Sequence, residues 1–276
     1  CSSDLAADYN PPAPRTREHR IDHATLRLAA RRFARGELVY VELVPDSAPG
    51  IPSRTPVCRF DDYVVCLSKR SWGYRGFIPL SADHSPGTAI LRVEYPIDAG
   101  VATGQVEVPI EATEFVVSTS SMEVGRFSDV NHAKSPETQR FIAECSAKKR
   151  KAFARLAPDM LRSAFAHPRD YHFTTSPYWS SRVYERYKVE NGTRVELKPK
   201  RKVHRGLDLR GAKGEPVYAI ADGEVILAER TYYEGNFTVI DHGNRMQSYY
   251  MHQDSLTVSA GDTVHAGQQL DTAGAT

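Results

Sequence analysis

The sequence has no long apolar run: nowhere in its 276 residues do hydrophobic side chains approach the ~20 in succession that a membrane-crossing helix needs. Charge of one sign is lacking too. Against 36 Lys and Arg stand 34 Asp and Glu, a formal net charge of +2. That is too mild to point to nucleic acid, and it suits an anionic cell wall without demanding one. Cysteine is scarce, with four residues. Cys58 and Cys66 bracket a hairpin expected to turn near Asp61-Asp62. They would face each other there as a disulfide in an oxidising compartment, or else stay as two buried thiols. Cys145 falls on the apolar stripe of an expected helix and reads as core.

What is present belongs to a folded chain. At 41% hydrophobic and 25% charged residues it is not a disordered one, and its length accommodates about two domains with their own cores. Residues 1–33 read as tether and linker. Cys1, then Ser2-Ser3-Asp4 and a Pro-rich stretch at 10–14, is how a mature bacterial lipoprotein begins. A lipid anchor at Cys1, holding the chain to a membrane, is therefore expected. Residues 21–35 allow a short helix or a first strand.

Over 34–125 apolar residues alternate with polar ones: Val39, Val41 and Leu43, then Leu91, Val93 and Tyr95, then Val106, Val108 and Ile110. With turn clusters at 45–52, 85–87 and 98–100, this spacing predicts an Ig-like (immunoglobulin-like) β-sandwich. No catalytic constellation stands out in it, and His84 beside Asp83 reads as a turn residue. A helical linker follows at 126–175. Ser135-Pro136-Glu137 is an N-cap, a proline at N1 and an acidic first turn. Phe141, Ile142, Cys145, Ala152, Phe153 and Leu156 give the helix one apolar face, with the basic run 148–151 mostly opposite. The segment is expected to pack between two β domains.

The densest chemistry lies in 176–276. HRGLDLRG (204–211) sets His204 and Asp208 four apart, with Gly206 between them, and SYYMHQDS (248–255) ends an alternating strand on His252. The spacing alone is weak in a chain with 10 His. Leu207 and Leu209 flank Asp208 as a strand does, so a helical face is not expected. Both side chains reach one ion only if the chain bends between them, which a glycine permits. Imidazole and carboxylate ligands on a β-rich scaffold suit metal-assisted hydrolysis. Asp222-Gly223 and Gly243-Asn244 read as hairpin turns, which puts His242 in a turn, and His265 falls on an exposed strand position. The segment reads as a compact antiparallel β domain.

In order, HRGLDL, EPVYAIADGEV, VIDHGN, YYMH, SAGDTVHAGQQL and AGAT resemble the M23 (lysostaphin-like) zinc endopeptidases, which cut peptidoglycan peptides. The resemblance covers about 75 residues. The fold class it completes is mainly β: an N-terminal Ig-like sandwich, a helical linker and a C-terminal antiparallel β peptidase domain. It implies Zn2+ held by His204 and Asp208, with His252 assisting the attacking water or the oxyanion. It implies peptidoglycan peptides as partners, no nucleic acid, and a lipid-anchored place in the bacterial cell envelope, periplasmic or surface. Occlusion of the metal cleft by 135–175, as such upstream segments do in latent forms, is a further expectation that the resemblance implies.

Several positions depart from the family pattern. The family's His-x-His pair, which supplies the last zinc ligand, comes a few residues beyond AGAT and is absent up to Thr276, so the expectation is a chain that continues further. Gln253 and Asp271 replace the usual leucine and glycine, and SSRVYER (180–186) fits the family's cleft loop poorly. The alternative expectation is a non-catalytic relative that binds the wall or activates another hydrolase. A third is an adhesin or assembly lipoprotein working through the sandwich.

Overall fold

A computed structural model describes residues 13–46, 54–98, 100–124, 135–170 and 173–274. Cys1 and the proposed anchor, and most of the turn cluster at 45–52, lie outside the described residues. Nine strands build a two-sheet sandwich. They are β1 (Arg15–Ile21), β2 (Ala24–Ala30), β3 (Leu38–Pro45), β4 (Val57–Phe60), β5 (Tyr63–Val65), β6 (Ser68–Arg70), β7 (Gly73–Pro79), β8 (Gly87–Ile97) and β9 (Gly100–Ile110). One sheet runs β1-β2-β3-β7-β6, the other β5-β4-β8-β9.

The expected alternation holds. Val39, Val41 and Leu43 face Leu91, Val93 and Tyr95, and Val106 and Val108, in one buried cluster. Each such side chain contributes about 1.5–3 kcal/mol by leaving water. Gly73 lets β7 close on β3, because a Cβ there would stand 2.2 Å from the Leu43 carbonyl oxygen.

The structure corrects the linker reading of 1–33. Residues 15–30 form β1 and β2, and Ala24, Leu26, Leu28 and Ala30 enter the core at every second position. Arg27, between them, sits outside, paired with Glu18 at 2.8 Å. Of the two forms left open for the cysteines, the structure has the thiols, with Cys58 buried and Cys66 partly buried. The hairpin turns at Asp61-Asp62, but Cys58 stands opposite Val65, one residue short of Cys66. Neighbours along a strand point to opposite faces, so Cys58 and Cys66 are free thiols.

Past the sandwich, β10 (Val117–Glu123) pairs parallel with β12 (Ser181–Glu190), which pairs antiparallel with β13 (Thr193–Val203). Between β10 and β12 comes α1 (Pro136–Phe153), capped by Ser135, whose Oγ accepts from Thr138 N at 3.2 Å. Its expected apolar face is narrower than the sequence suggested. Only Cys145 and Ala152 are buried, while Phe141, Phe153 and Leu156 remain exposed.

The C-terminal part holds β11 (Thr174–Ser176) paired with β14 (Asp208–Leu209), and β15 (Pro216–Tyr218) paired with β20 (Gln269–Thr272). A four-stranded sheet runs β18 (Met246–Gln253), β17 (Gly235–Gly243), β16 (Gly223–Thr231), β19 (Thr263–Val264). Helix α1 docks on this sheet through Ala152 against Leu227, Phe237 and Val239, and through Lys148–Glu229 and Lys149–Glu234 ion pairs of 2.5 Å. Two of the four cations at 148–151 therefore serve docking.

The coil after α1 does the bridging that the helix was expected to do. Leu161 packs between Phe77 of the sandwich and Ala221, and Asp159 is held by Arg70 and Arg75. Gly243 (φ 77°) lets this strap lie close, since a Cβ there would meet the Pro158 carbonyl oxygen at 1.9 Å. Two turn expectations also change. Asp222-Gly223 joins strands that do not pair with each other, and His242 is buried within β17, not in a turn.

Candidate metal centre

Strand β13 ends at Val203, and the next residue is fixed on both sides of its backbone. His204 N donates to the Ser180 carbonyl at 2.8 Å, and the His204 carbonyl accepts from Trp179 N at 2.7 Å. Its ring is fixed from behind. Nδ1 lies 3.1 Å from Ser176 Oγ and 3.3 Å from the Pro177 carbonyl oxygen. That carbonyl only accepts, so the contact calls for a proton on Nδ1 and leaves the Nε2 lone pair facing forward.

Asp208 comes back beside it because β14 pairs with β11, with Ser176 opposite Asp208. The chain thus bends through Arg205–Gly206–Leu207 as expected, and Gly206 is not among the residues at positive φ. The result is His204 Nε2 at 3.2 Å from Asp208 Oδ1, with the side chains 24% and 53% exposed. A lone pair pointing at a carboxylate oxygen repels it unless a proton or a cation lies between. Zinc bonds of about 2.0–2.1 Å at a tetrahedral angle put two donor atoms about 3.3 Å apart. The pair therefore fits two corners of such a site, and its exposure leaves the other corners open. Among the described residues no group of three or more His, Cys, Asp or Glu gathers in metal-binding geometry.

His252 stands on β18 at an irregularity. Asn236 pairs with Gln253 and Thr238 with Tyr250, so Met251 and His252 together oppose Phe237 alone. At this bulge His252 takes φ 58°, its N donates to the Glu234 carbonyl at 2.9 Å, and its carbonyl accepts from Gly274 N at 2.8 Å. Bulges of this kind re-aim side chains and recur beside active sites. From Gly274 the backbone ladder continues through Ala273 to Gly214 and Glu215, in the segment that follows β14.

The other two histidines of this domain have structural partners. His242 is fully buried between the Asp222 carbonyl and Ser248 Oγ, each at 2.8 Å, and burial holds its pKa below the ordinary imidazole value. His265 is exposed, with Nδ1 3.4 Å from Asp222 Oδ1. Burial pushes the Asp222 carboxyl up, but hydrogen bonds from Arg162 N, Ser163 and Ala266 N outweigh it and leave the pKa depressed. Sequence reasoning missed Ser176, Pro177 and Arg182, whose Nη2 donates to Ser176 Oγ at 3.0 Å. Nothing in SPYWSSR marks them, because their role comes from the β11–β14 pairing.

A model of peptidase family M23 matches residues 202–276. Lipoprotein NlpD of Yersinia enterocolitica is 36% identical over 70 residues, 25% of this chain and 72% of that protein. The chain belongs to peptidase family M23. The M23 segment opens inside β13 and takes in His204, Asp208 and His252, while the sandwich and α1 lie outside it.

Other M23 relatives match over shorter fractions of their length. Peptidoglycan DD-endopeptidase ShyB of Vibrio cholerae is 36% identical over 106 residues, 34% of this chain and 25% of that protein. Murein hydrolase activator NlpD of Escherichia coli is 38% identical over 76 residues, 26% of this chain and 20% of that protein. The matched part of the chain thus spans about a quarter or less of these two relatives. A crystal structure named for peptidase M23 of Pseudomonas aeruginosa superposes with a TM-score of 0.56 at 19% identity, over 89% of this chain and 84% of that one. At that identity the likeness is one of fold, and it extends well beyond the M23 segment.

Proposed function

We propose that this chain is a zinc-dependent endopeptidase that hydrolyses peptide bonds of bacterial peptidoglycan. The observation that carries the reading is the convergence of His204 Nε2 and Asp208 Oδ1 at 3.2 Å, with the back of the imidazole anchored to Ser176 and Pro177. A ligating histidine commonly donates its second ring N–H to such a partner. In this reading His204 and Asp208 hold the ion. Bound zinc would polarise a scissile carbonyl and bring the pKa of its water near ~7.

The chain's own residues do the rest. Ser176 and the Pro177 carbonyl hold the His204 tautomer, and His252 on its bulge supplies an imidazole to take up or return a proton. The names of the DD-endopeptidase and lipoprotein relatives support peptidoglycan as the partner and the bacterial envelope as the location. A lipid anchor at Cys1 belongs to the same proposal. We read the sandwich as an immunoglobulin-like spacer that orients the peptidase end.

A second reading has its own observation: only two candidate ligands converge among the described residues, and one relative is a murein hydrolase activator. The chain would then bind the wall or switch on another hydrolase. The test is incubation of the full-length protein and zinc with purified peptidoglycan, with soluble products identified by mass spectrometry. New peptide ends, absent with His204→Ala and with His252→Ala, are expected. No products from any form, together with stimulation of a partner hydrolase by all three, would replace the first reading with the second.

A further inference from the structure

Apart from buried Ser181, the sheet β10-β12-β13 is exposed or half-buried on both faces, and its charges are not shared equally between them. Arg182 pairs with Lys202, Tyr184 with Lys200, Arg186 with Leu197 and Lys188 with Val195. Cross-strand partners and every second residue share a face. One face therefore carries Arg182, Arg186, Lys188, Lys200 and Lys202. Its single acid on β12 and β13, Glu190, is paired with Lys188 at 2.5 Å. Among the described residues Arg182, Arg186, Lys200 and Lys202 have no carboxylate partner. The opposite face is balanced. Glu123, Glu185 and Glu196 share it with Arg194, which pairs with Glu196 at 2.5 Å, and Arg201, which donates to Ser181 Oγ at 2.6 Å.

The cationic face leads to the metal centre. His204 follows Lys202 by two positions and continues the ladder through Ser180, so it falls on the same side. Ser176 Oγ ties the two together, touching His204 Nδ1 at 3.1 Å and Arg182 Nη2 at 3.0 Å. With about 3.3 Å rise per residue, Lys202 and Lys200 stand roughly 7 and 13 Å up the strand from His204.

Lysines and a proline on β13 would by themselves serve to blunt an edge strand. That explanation does not reach Arg182 and Arg186, which lie on the central strand, and the other edge, β10, has no lysine at all. Strand β13 is the outer strand of this sheet. Its free main-chain groups can pair with an extended peptide, which a phosphate polymer cannot match.

We infer that the Arg182/Arg186/Lys200/Lys202 face is a docking track for an extended, carboxylate-bearing peptide, which it feeds toward His204 and Asp208. This rests on the peptidase reading for its direction, but the binding it predicts needs no metal.

The test is fluorescence anisotropy with a labelled ten-residue Glu-Ala repeat, its Gln-Ala counterpart and a polyphosphate. The proteins are the full chain, an Arg186→Gln/Lys200→Gln/Lys202→Gln variant, and an Arg194→Gln/Arg201→Gln control, each checked by circular dichroism. The Glu peptide should bind the unsubstituted chain in a salt-dependent way. It should bind the triple variant about 10–30-fold more weakly and the control within about twofold, as expected for a few exposed ion pairs. Equal binding of the Gln peptide, equal loss in the control, or tighter binding of polyphosphate than of the Glu peptide would overturn the inference. Charge-dependent peptide binding by a zinc-loaded full-length protein that cleaves nothing would leave the track standing and remove the peptidase reading alone.

Discussion

Replacing Asp159 by alanine should part the two halves of the molecule before either unfolds. Its carboxylate is 2% exposed and accepts from Arg75 Nε at 2.8 Å and Arg75 Nη2 at 2.7 Å, with Arg70 alongside. It also accepts from Leu161 N at 2.9 Å and Asn244 Nδ2 at 3.2 Å, so sandwich, strap and C-terminal sheet meet on one side chain. Alanine leaves two guanidinium groups, 18% and 17% exposed, without their anion. Removing one member of a buried ion pair costs about 3–5 kcal/mol. With a urea slope of ~2–3 kcal/mol/M, the midpoint falls by about 1–2.5 M. The chain has two tryptophans, Trp72 in the sandwich and Trp179 beside His204, so single-tryptophan variants report the halves separately. The two transitions should separate in Asp159→Ala and coincide without it. Coincident transitions and a midpoint within about 0.3 M of the parent would refute the strap as the junction.

Other outcomes follow from the same contacts. Hydrogen bonds from the strap and from Ala266 hold the Asp222 carboxyl below the ordinary carboxylate value in the folded state, in spite of its burial. Its stabilisation is therefore complete above the unfolded value and is lost as pH falls below about 4 toward the folded one. Asp222→Asn should lower stability at pH 7 and flatten the acid limb of a urea-midpoint profile; an unchanged limb would remove Asp222 as its source. Ser176→Ala takes away one of the two groups behind His204 Nδ1, and zinc affinity of the full-length protein should fall about 10-fold or more by chelator competition. Unchanged affinity would assign the anchoring to Pro177 alone. Burial pushes the Cys58 thiol up to about 12, so alkylation at pH 8 should label Cys66 well before Cys58. A Cys58–Cys66 disulfide found by mass spectrometry would contradict the register.

The sandwich was legible where one face of a strand is buried. Val39, Val41 and Leu43, or Leu91, Val93 and Tyr95, announce themselves at every second position because the core is dry. Helix α1 was legible at its start, since Ser135-Pro136-Glu137 is local chemistry. Strands β10 and β12 gave no such signal, because neither buries one face at every second position, and their parallel pairing spans about sixty positions that no local pattern encodes. The Cys58–Cys66 offset is a register difference of one residue, below what spacing resolves. At the candidate metal centre the sequence named His204, Asp208 and His252. The bend that sets His204 and Asp208 3.2 Å apart was anticipated at Gly206. The groups behind His204 come from a pairing of β11 with β14 only two or three residues long, too short to read. Asp222 illustrates the reverse error: next to glycine it looks like a turn residue, whereas its buried carboxylate collects backbone N–H groups from the strap and from Ala266.

The peptidase reading makes His204 and Asp208 two ligands of one zinc ion. Elemental analysis of the full-length protein, purified without added metal and including any residues that follow Thr276, tests it most directly. About one zinc per chain is predicted, falling to background in both His204→Ala and Asp208→Ala while circular dichroism stays unchanged. Zinc absent from the parent protein, or retained in full by either variant, would contradict it.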